Sequence, residues 1–509
     1  MEGSAYINFL KMLPGVVEPK YRLNFRAKLK WTALVLLIYF FLAQIQVFGI
    51  GEGGIQQLKT LEILLGSSFG SIMSLGIGPI VTASIILQLL VGSKMIPWDL
   101  STPEGKIMFQ GTQKLFAIIL SFVEATIFVT MGAIPAKSGF ELWVMLQLAA
   151  GGILVIFMDE LISKWGFGSG VSLFILAGVS KTIVVRTLNP LTPAGTLPGP
   201  GSPPAGVIPF AIMALTAGEF VNAFLSLLPL VATLIVFFLV VYTNSIRVEI
   251  PLAFGHITGF GRRWPLKFFY TSNIPVILIA ALLANVHLMG SLLGRQGWTW
   301  LAEVDSNNNI IGGLLYFFTI PRSDAISGLM TTVGLFVLIG ALLAYYTKRG
   351  GWKLPLLTGV IGIFLWYFIT LNLNLTSLAQ IEVMDVLRMI MYSLVLIGGA
   401  TMFSVFWVNT AGMDAKSVAN QIYSIGMQIP GYRRDVRIIE KVLERYIPPL
   451  AVLGGAAVGF LAAFADFTGA LGTGTGLLLA TMIVFNLYEE LATQHIEDMH
   501  PAVRKLLGK

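Results

Sequence analysis

Gly76-Ile77-Gly78-Pro79-Ile80-Val81-Thr82-Ala83, followed by Ile85-Ile86-Leu87-Gln88-Leu89-Leu90-Val91-Gly92-Ser93, contains no Asp, Glu, Lys or Arg. The charge-free stretch around it runs over 63–93, longer than the about 20 helical residues that cross a bilayer core of about 30 Å. Pro79 follows a glycine break and falls where a helix tolerates it, in the first turn. The stretch reads as an apolar helix that begins at a break.

Composition extends this reading to the whole chain. The 509 residues are 56% hydrophobic and 12% charged, about half the ~25% charge of soluble domains, and the mean hydropathy is +0.81. So little charge cannot wet a globule of 55.3 kDa. Soluble, disordered and fibrous classes are excluded, and an integral membrane protein remains. With no Cys, there is no disulfide framework, thiolate metal site or Cys nucleophile. Four His leave little room for a His-rich metal centre.

Charge-free stretches, allowing Glu124 inside one of them, predict twelve spans: 31–51, 63–93, 115–136, 142–158, 165–180, 220–246, 268–294, 325–347, 354–381, 389–413, 446–465 and 467–488. The stretch 187–218 is Pro- and Gly-rich as far as Gly206 and reads mostly as an exposed loop. No strand-like alternation points to a β-barrel. Residues 1–30 carry six Lys/Arg, and Pro14, Glu18 and Pro19 break any signal-peptide pattern. The first span therefore stays as a helix, and its basic flank places the N-terminus in the cytoplasm. Alternating sides from there puts 26 Lys/Arg on the cytoplasmic side and 7 elsewhere. A missed span would reverse every later loop and destroy that asymmetry, so both termini are expected in the cytoplasm.

Residues 51–76 depart from the pattern. Six glycines bracket Ile55–Leu65, which carries Lys59 and Glu62. That segment is too short to span and too charged for lipid, so it is either an external loop with a surface helix or a re-entrant half-helix closing a cavity. Glu124 is the main ionisable group inside a span, and it is either a proton or cation site or an interhelical hydrogen-bonding partner. Asp159, Glu160 and Lys164 read as a solvated helix end. Gly472-Thr473-Gly474-Thr475-Gly476 lacks the Lys-Ser/Thr of a phosphate loop and suits close backbone approach or a mobile joint. No nucleophile–base constellation is present, so no enzyme and no cofactor are expected.

Two cytoplasmic segments are longer than anchoring requires. Residues 247–267 are β-capable and end near Arg262-Arg263, while 414–445 contain Arg433-Arg434 and an amphipathic helix. Clustered Arg on a protruding loop suits an acidic partner such as RNA.

These strings resemble the SecY-type protein-conducting channels in their archaeal form. The resemblance rests on 76–93 and also on Phe109-Gln110-Gly111-Thr112-Gln113-Lys114, Gly166-Phe167-Gly168-Ser169-Gly170, Arg247-Val248-Glu249-Ile250-Pro251 and Ser272-Asn273-Ile274-Pro275. Arg445-Tyr446-Ile447-Pro448-Pro449 and Gly469-Ala470-Leu471-Gly472 complete it. It implies an all-α, polytopic fold of ten helices in two inverted halves, with a lateral gate toward lipid. The implied constriction is Ile77, Val81, Val171, Ile175, Ile277 and Leu479, all aliphatic. The glycine-bracketed segment becomes the plug at about 55–69, with Lys59, Thr60, Leu61, Glu62, Ile63, Leu64 and Leu65 in it. Thr82, Glu124 and Asn273 become polar contacts of the gate, and Arg262, Arg263, Arg433 and Arg434 a ribosome-binding surface. Implied partners are SecE, a third single-span subunit, a translating ribosome, signal sequences with their nascent chains, and membrane lipid. The implied location is the plasma membrane.

Two departures stand out. His256 and Thr258 occupy the tip of the first loop where basic residues are expected. The chain also has twelve spans against the family's ten, the extra pair being Asp324–Tyr346 and Leu354–Leu375. The expected organisation begins with a cytoplasmic segment 1–30, a first half 31–188 and an external loop 189–219. Helices six and seven follow over 220–323, then the inserted pair 324–381, helices eight to ten over 382–488 and a cytoplasmic tail 489–509. The pair is expected at the periphery, beside the helix near 389–413. The rival reading is a secondary transporter of small solutes, which twelve spans and a broken helix also suit.

Overall fold

In a bilayer, backbone N–H and C=O groups pair within their own segment, and the charge-free runs accordingly form helices. The computed structural model describes residues 2–21, 23–51, 70–100, 102–192, 195–199, 201–254, 261–305, 310–321, 323–348, 351–372, 378, 380–428 and 435–498. The first half comprises α1 (Glu2–Lys11), α2 (Phe25–Leu42), α3 (Gly78–Gly92), α4 (Pro103–Thr130), α5 (Glu141–Trp165) and α6 (Gly170–Leu188). Then come α7 (Val207–Thr216), α8 (Phe220–Asn244), strands β1 (Arg247–Phe254) and β2 (Gly261–Lys267), and α9 (Ile274–Arg295). A small hairpin, β3 (Glu303–Val304) and β4 (Ile310–Gly312), leads through a 3-10 turn at Leu314–Phe318 to α10 (Asp324–Thr347) and α11 (Lys353–Asn372). The rest is α12 (Val383–Thr410), α13 (Ala415–Ser424), β5 (Met427–Gln428), α14 (Val436–Leu443), α15 (Ile447–Phe467) and α16 (Gly474–Asp498).

Among the described residues, ten helices are long and apolar enough to cross a membrane: α4, α5, α6, α8 to α12, α15 and α16. The two remaining expected spans are α2, which opens with Arg26, Lys28 and Lys30, and α3. At 15 residues, α3 reaches only about 22 Å at 1.5 Å per residue. It starts inside the protein rather than at its surface. The loop expected over 189–219 contains α7, whose ten apolar residues follow Gly206 and pack on α8. The glycines and prolines before it mask the helix in composition, and Pro209 sits harmlessly in its first turn.

Small residues decide how closely the helices approach. Gly455 and Gly459, one turn apart on α15, face the backbone of α12. A Cβ on Gly459 would lie 2.7 Å from the Leu396 carbonyl, and one on Gly455 3.0 Å from that of Ala400. In the α10–α11 pair, Gly328 lies under the Trp366 ring and Gly362 against Phe336. This pair does not pack mainly beside α12, as expected, but against α8 and the end of α15. Gly334 meets Ile235 and Phe464, each 3.3 Å from an added Cβ. Thr331 Oγ1 donates to the Thr468 carbonyl at 2.9 Å. Small residues on α10 give it that close seat, which an insertion point in sequence does not reveal.

Two clusters lie outside the bundle core. Arg388, 8% exposed on α12, donates to Thr319 Oγ1 at 2.7 Å and the Ile320 carbonyl at 3.1 Å. It also stacks over Tyr316 at 4.1 Å, so a single cation ties the segment after α9 to α12. On the opposite face, β1 pairs with β2 from Arg247↔Lys267 to Ala253↔Gly261, and β5 adds to β1 at Ala253↔Gln428. A separate apolar core that includes Ile250, Leu266, Ile422 and Ile439 supports this sheet. Glu489 of α16 accepts from Arg247 at 2.7 Å and from Lys267. Nearby, burial and then the Asp414 carboxylate push the Tyr270 phenol up to about 12, and it donates to the Met413 carbonyl at 2.8 Å.

Gly459→Leu is expected to wedge α15 from α12 and to cost about 1–3 kcal/mol, the range for overpacking. The check is a lowered midpoint of thermal unfolding in detergent. Gly398→Leu, where an added Cβ meets nothing within 4 Å, is expected to leave the midpoint in place.

Candidate functional site

The six predicted constriction residues come from the starts of four helices. Ile77 immediately precedes α3 and Val81 is its fourth residue; Val171 and Ile175 are the second and sixth residues of α6. Ile277 is the fourth residue of α9, and Leu479 the sixth of α16. Ile77, Val81, Ile175, Ile277 and Leu479 are buried in one apolar cluster, and Val171 packs partly buried against it. Helix α9 touches both α3 and α16, and α16 touches α6. Gly78, Gly170 and Gly474, which open α3, α6 and α16, and Pro275, the second residue of α9, are buried, so N–H groups at these starts need partners within the protein. In α3 and α9 a proline in the first turn, Pro79 and Pro275, removes one of them.

In α6 and α16 a carboxylate takes that role. Asp159 Oδ1 accepts from the Val171 N–H at 2.9 Å. Asp466 Oδ1 accepts from the Thr475 N–H at 2.7 Å, and its Oδ2 from Tyr392 Oη at 2.8 Å and from the Thr475 hydroxyl. The expected solvated end at Asp159, Glu160 and Lys164 is therefore a set of committed contacts. Glu160 pairs with Lys114 at 2.6 Å and with Lys164 at 2.9 Å. Asp159 and Glu160 look solvated in sequence because Val171 and Lys114, twelve and 46 residues away, lie on other elements.

Of the three predicted gate residues, two meet. Thr82 Oγ1 on α3 donates to Glu124 Oε1 on α4 at 3.1 Å and to its own Gly78 carbonyl at 2.9 Å. The third member of this contact is Asn285 of α9, whose Nδ2 donates to Thr82 Oγ1 at 3.0 Å. Asn273 instead precedes α9, where its Oδ1 accepts from Ser272 Oγ at 3.0 Å. Twelve residues of helix separate the two asparagines, about 18 Å at 1.5 Å per residue. The signal for Asn285 was present in the sequence: it is an amide in the middle of the charge-free run 268–294. This polar triad lies where α3 meets α9, and α3 also packs on α12 with Gly92 against Phe406.

The predicted plug residues, Lys59 to Leu65, lie outside the described residues, as do Arg433 and Arg434. The chain that leaves for 52–69 and the chain that returns run side by side. Val47 N–H donates to the Gly70 carbonyl at 2.9 Å, and Ile72 N–H to that of Ile45 at 3.0 Å. Arg262 and Arg263 lie on β2, in register with Leu252 and Pro251 of β1. The two long segments 247–267 and 414–445, separate in the sequence, share one sheet through β5. Among the described residues, no group of three or more His, Asp or Glu is placed to hold a metal ion.

A family model described as SecY matches residues 71–488. The chain is 43% identical over 502 residues to the protein translocase subunit SecY of Methanothermobacter thermautotrophicus, covering 98% of this chain and 97% of the relative. To the same subunit of Methanocaldococcus jannaschii it is 39% identical over 504 residues, with 99% of each covered. A solved protein-conducting channel superposes with a TM-score of 0.77 at 38% identity, covering 98% of this chain and 99% of that one. Sec61 in the canine ribosome–channel complex from the endoplasmic reticulum gives 0.74 at 38%, over the same shares.

A double-mutant cycle separates the two asparagines. Thr82→Ala with Asn285→Ala is expected to show a coupling of about 0.6–1.7 kcal/mol, the range of interhelical hydrogen bonds. Thr82→Ala with Asn273→Ala is expected to be additive, with unfolding of the purified chain in detergent as the measurement.

Proposed function

The chain belongs to the SecY family, and from that premise we propose how its own residues serve a translocase. It is a multi-pass membrane protein and the central pore subunit of a protein-conducting channel. Such a channel passes secretory chains across the membrane and releases transmembrane segments sideways into it. The observation that carries the residue assignment is that all six side chains stand within the first six residues, or just before the start, of four helices linked by the α3–α9, α9–α16 and α16–α6 contacts, five of them buried in the main apolar core.

The chemistry of that ring explains the work. A constriction without fixed charge holds neither ions nor water, dewets when empty, and deforms around a passing chain. Ile77, Val81, Val171, Ile175, Ile277 and Leu479 form it in this reading. The segment 55–69, in the same reading, is the plug of the closed channel. The seam between α3–α4 and α9–α12 is the lateral gate, bridged by the Asn285–Thr82 hydrogen bond, with Glu124 holding Thr82 from the same side. That bridging hydrogen bond biases the closed state by about 0.6 kcal/mol, little enough for a signal helix to overcome. Leu, Ile, Phe and Val each gain about 0.3–0.6 kcal/mol in the membrane, so a handful of them outweighs the contact.

Energy for directional movement comes from a partner, because the sequence has no phosphate-binding loop. A translating ribosome seated on Arg262, Arg263, Arg433 and Arg434 fills that role. SecE and a single-span third subunit complete the complex. The lysine and arginine asymmetry supports a plasma-membrane orientation with both termini in the cytoplasm.

Photo-crosslinkers placed at positions 77 and 277 are expected to capture a ribosome-stalled secretory chain, and one at Leu394, exposed on α12, is not. Capture at 394 alone, or capture at 77 and 277 that persists when the signal sequence is deleted, contradicts the assignment.

A further inference from the structure

The turns that lead into α6 and α16 are one design used twice. Gly168-Ser169-Gly170 and Gly472-Thr473-Gly474 share the pattern glycine, hydroxyl residue, glycine. The first glycine of each adopts a left-handed backbone, with φ of +66° at Gly168 and +91° at Gly472. The second glycine is the first residue of each helix. There the preceding helix comes into backbone contact: a Cβ on Gly170 would lie 2.6 Å from Asp159 Cα, and one on Gly474 would overlap Ala465 and Asp466. The second residue of each helix, Val171 or Thr475, then donates its N–H to the carboxylate of the preceding helix. The sixth residue of each is a constriction residue, Ile175 or Leu479.

The match is therefore geometric as well as sequential. Four residues, just over one turn, separate the carboxylate's donor from the ring side chain in both halves. The two helices pack on each other, and seven crossings apart in the chain they run in opposite directions. A buried helix start exposes N–H groups that need an acceptor, and a carboxylate there also meets the positive end of the helix dipole. Contacts between ring side chains supply no such direction, since dispersion fixes neither height nor rotation.

We infer that Asp159 and Asp466 are positioning residues of the channel. Each sets where its ring helix begins, and so the depth at which Ile175 or Leu479 closes the constriction; the inference rests on the ring assignment above. Asp466 holds its helix on a second side as well, because Tyr392 of α12 donates to the same carboxylate. Movement of α12 at the gate is thereby passed to Leu479.

The test is the resting ion current of the full chain reconstituted in a planar bilayer, with thermal unfolding measured in parallel. Asp159→Ala and Asp466→Ala are expected to raise the current about threefold, the population shift of one interhelical hydrogen bond. Asp159→Asn keeps an acceptor oxygen for the Val171 N–H and is expected to stay at the wild-type current. Should an alanine variant fail to fold, the Glu variant takes its place: its longer arm displaces the helix start and is expected to leak as well. Ile277→Ser reports on the ring itself. If it leaks while the Ala or Glu variants remain tight, or only their unfolding midpoints fall, the positioning role is overturned and the ring stands. If Ile277→Ser is itself tight, the ring assignment fails and takes this inference with it.

Discussion

No backbone N–H or C=O can go unpaired where water is absent, and the rest of this structure follows from that requirement. Twelve of its helices meet it in the simple way, each by its own internal ladder. The difficulty arises at the helix ends that lie inside the protein, because four N–H groups there lack partners within the helix. The residues proposed for the constriction gather at those ends. Helices α3 and α9 begin on prolines, and α6 and α16 on aspartates supplied by the preceding helix. A straight spanning helix offers no such break, and it offers no place for a constriction either.

Close approach is the second device, and glycine supplies it. Gly455 and Gly459 bring α15 onto the carbonyls of α12, and Gly170 and Gly474 bring helix starts against the backbones that cap them. In lipid there is no hydrophobic force between helices, so contact area and hydrogen bonds have to provide the cohesion. The same device explains the seat of the α10–α11 pair. Small residues on α10 allow it to reach Ile235 of α8 and Phe464 of α15, and Thr331 fastens it to the turn after α15. The pair is thus joined to the body at the turn that leads into α16.

The helical layout was legible because hydropathy and charge act over long stretches. A charge-free run of 20 residues is long enough to cross a bilayer as a helix, and each of the twelve expected runs overlaps a helix, the one in 63–93 being only the 15 residues of α3. Features that depend on a single partner across the fold were not legible. Asn273 and Asn285 are chemically identical, and only the packing of α9 on α3 decides that Asn285 meets Thr82. Asp159 looked solvated because its donor, the Val171 N–H, belongs to the next helix. Helix α7 was hidden by the glycines and prolines before it, and β5 by its two-residue length. The glycine-rich stretch 472–476 was legible in part: the absence of a phosphate loop was plain, and close backbone approach is what Gly474 achieves.

This division between long-range and single-partner features is also a division of labour in the channel. A seal made of aliphatic side chains is soft, since each atomic contact is worth only about 0.1–0.2 kcal/mol and carries no direction. Softness lets a polypeptide pass, yet a soft ring cannot hold its own members at one level. A charged or hydrogen-bonding group in the ring would hold it, but would also bind water and ions in the path. For Ile175 and Leu479 the two demands are separated by just over one helical turn, while Val171 carries both, its N–H on Asp159 and its side chain against the apolar core. The directional groups, Asp159 and Asp466, sit at the helix starts, and the aliphatic groups, Ile175 and Leu479, sit four residues beyond the N–H groups those carboxylates accept from. On the proposed assignment, position is set by hydrogen bonds at the helix starts and permeability by hydrocarbon, so the lining can yield to a passing chain while the helix starts that carry it remain anchored.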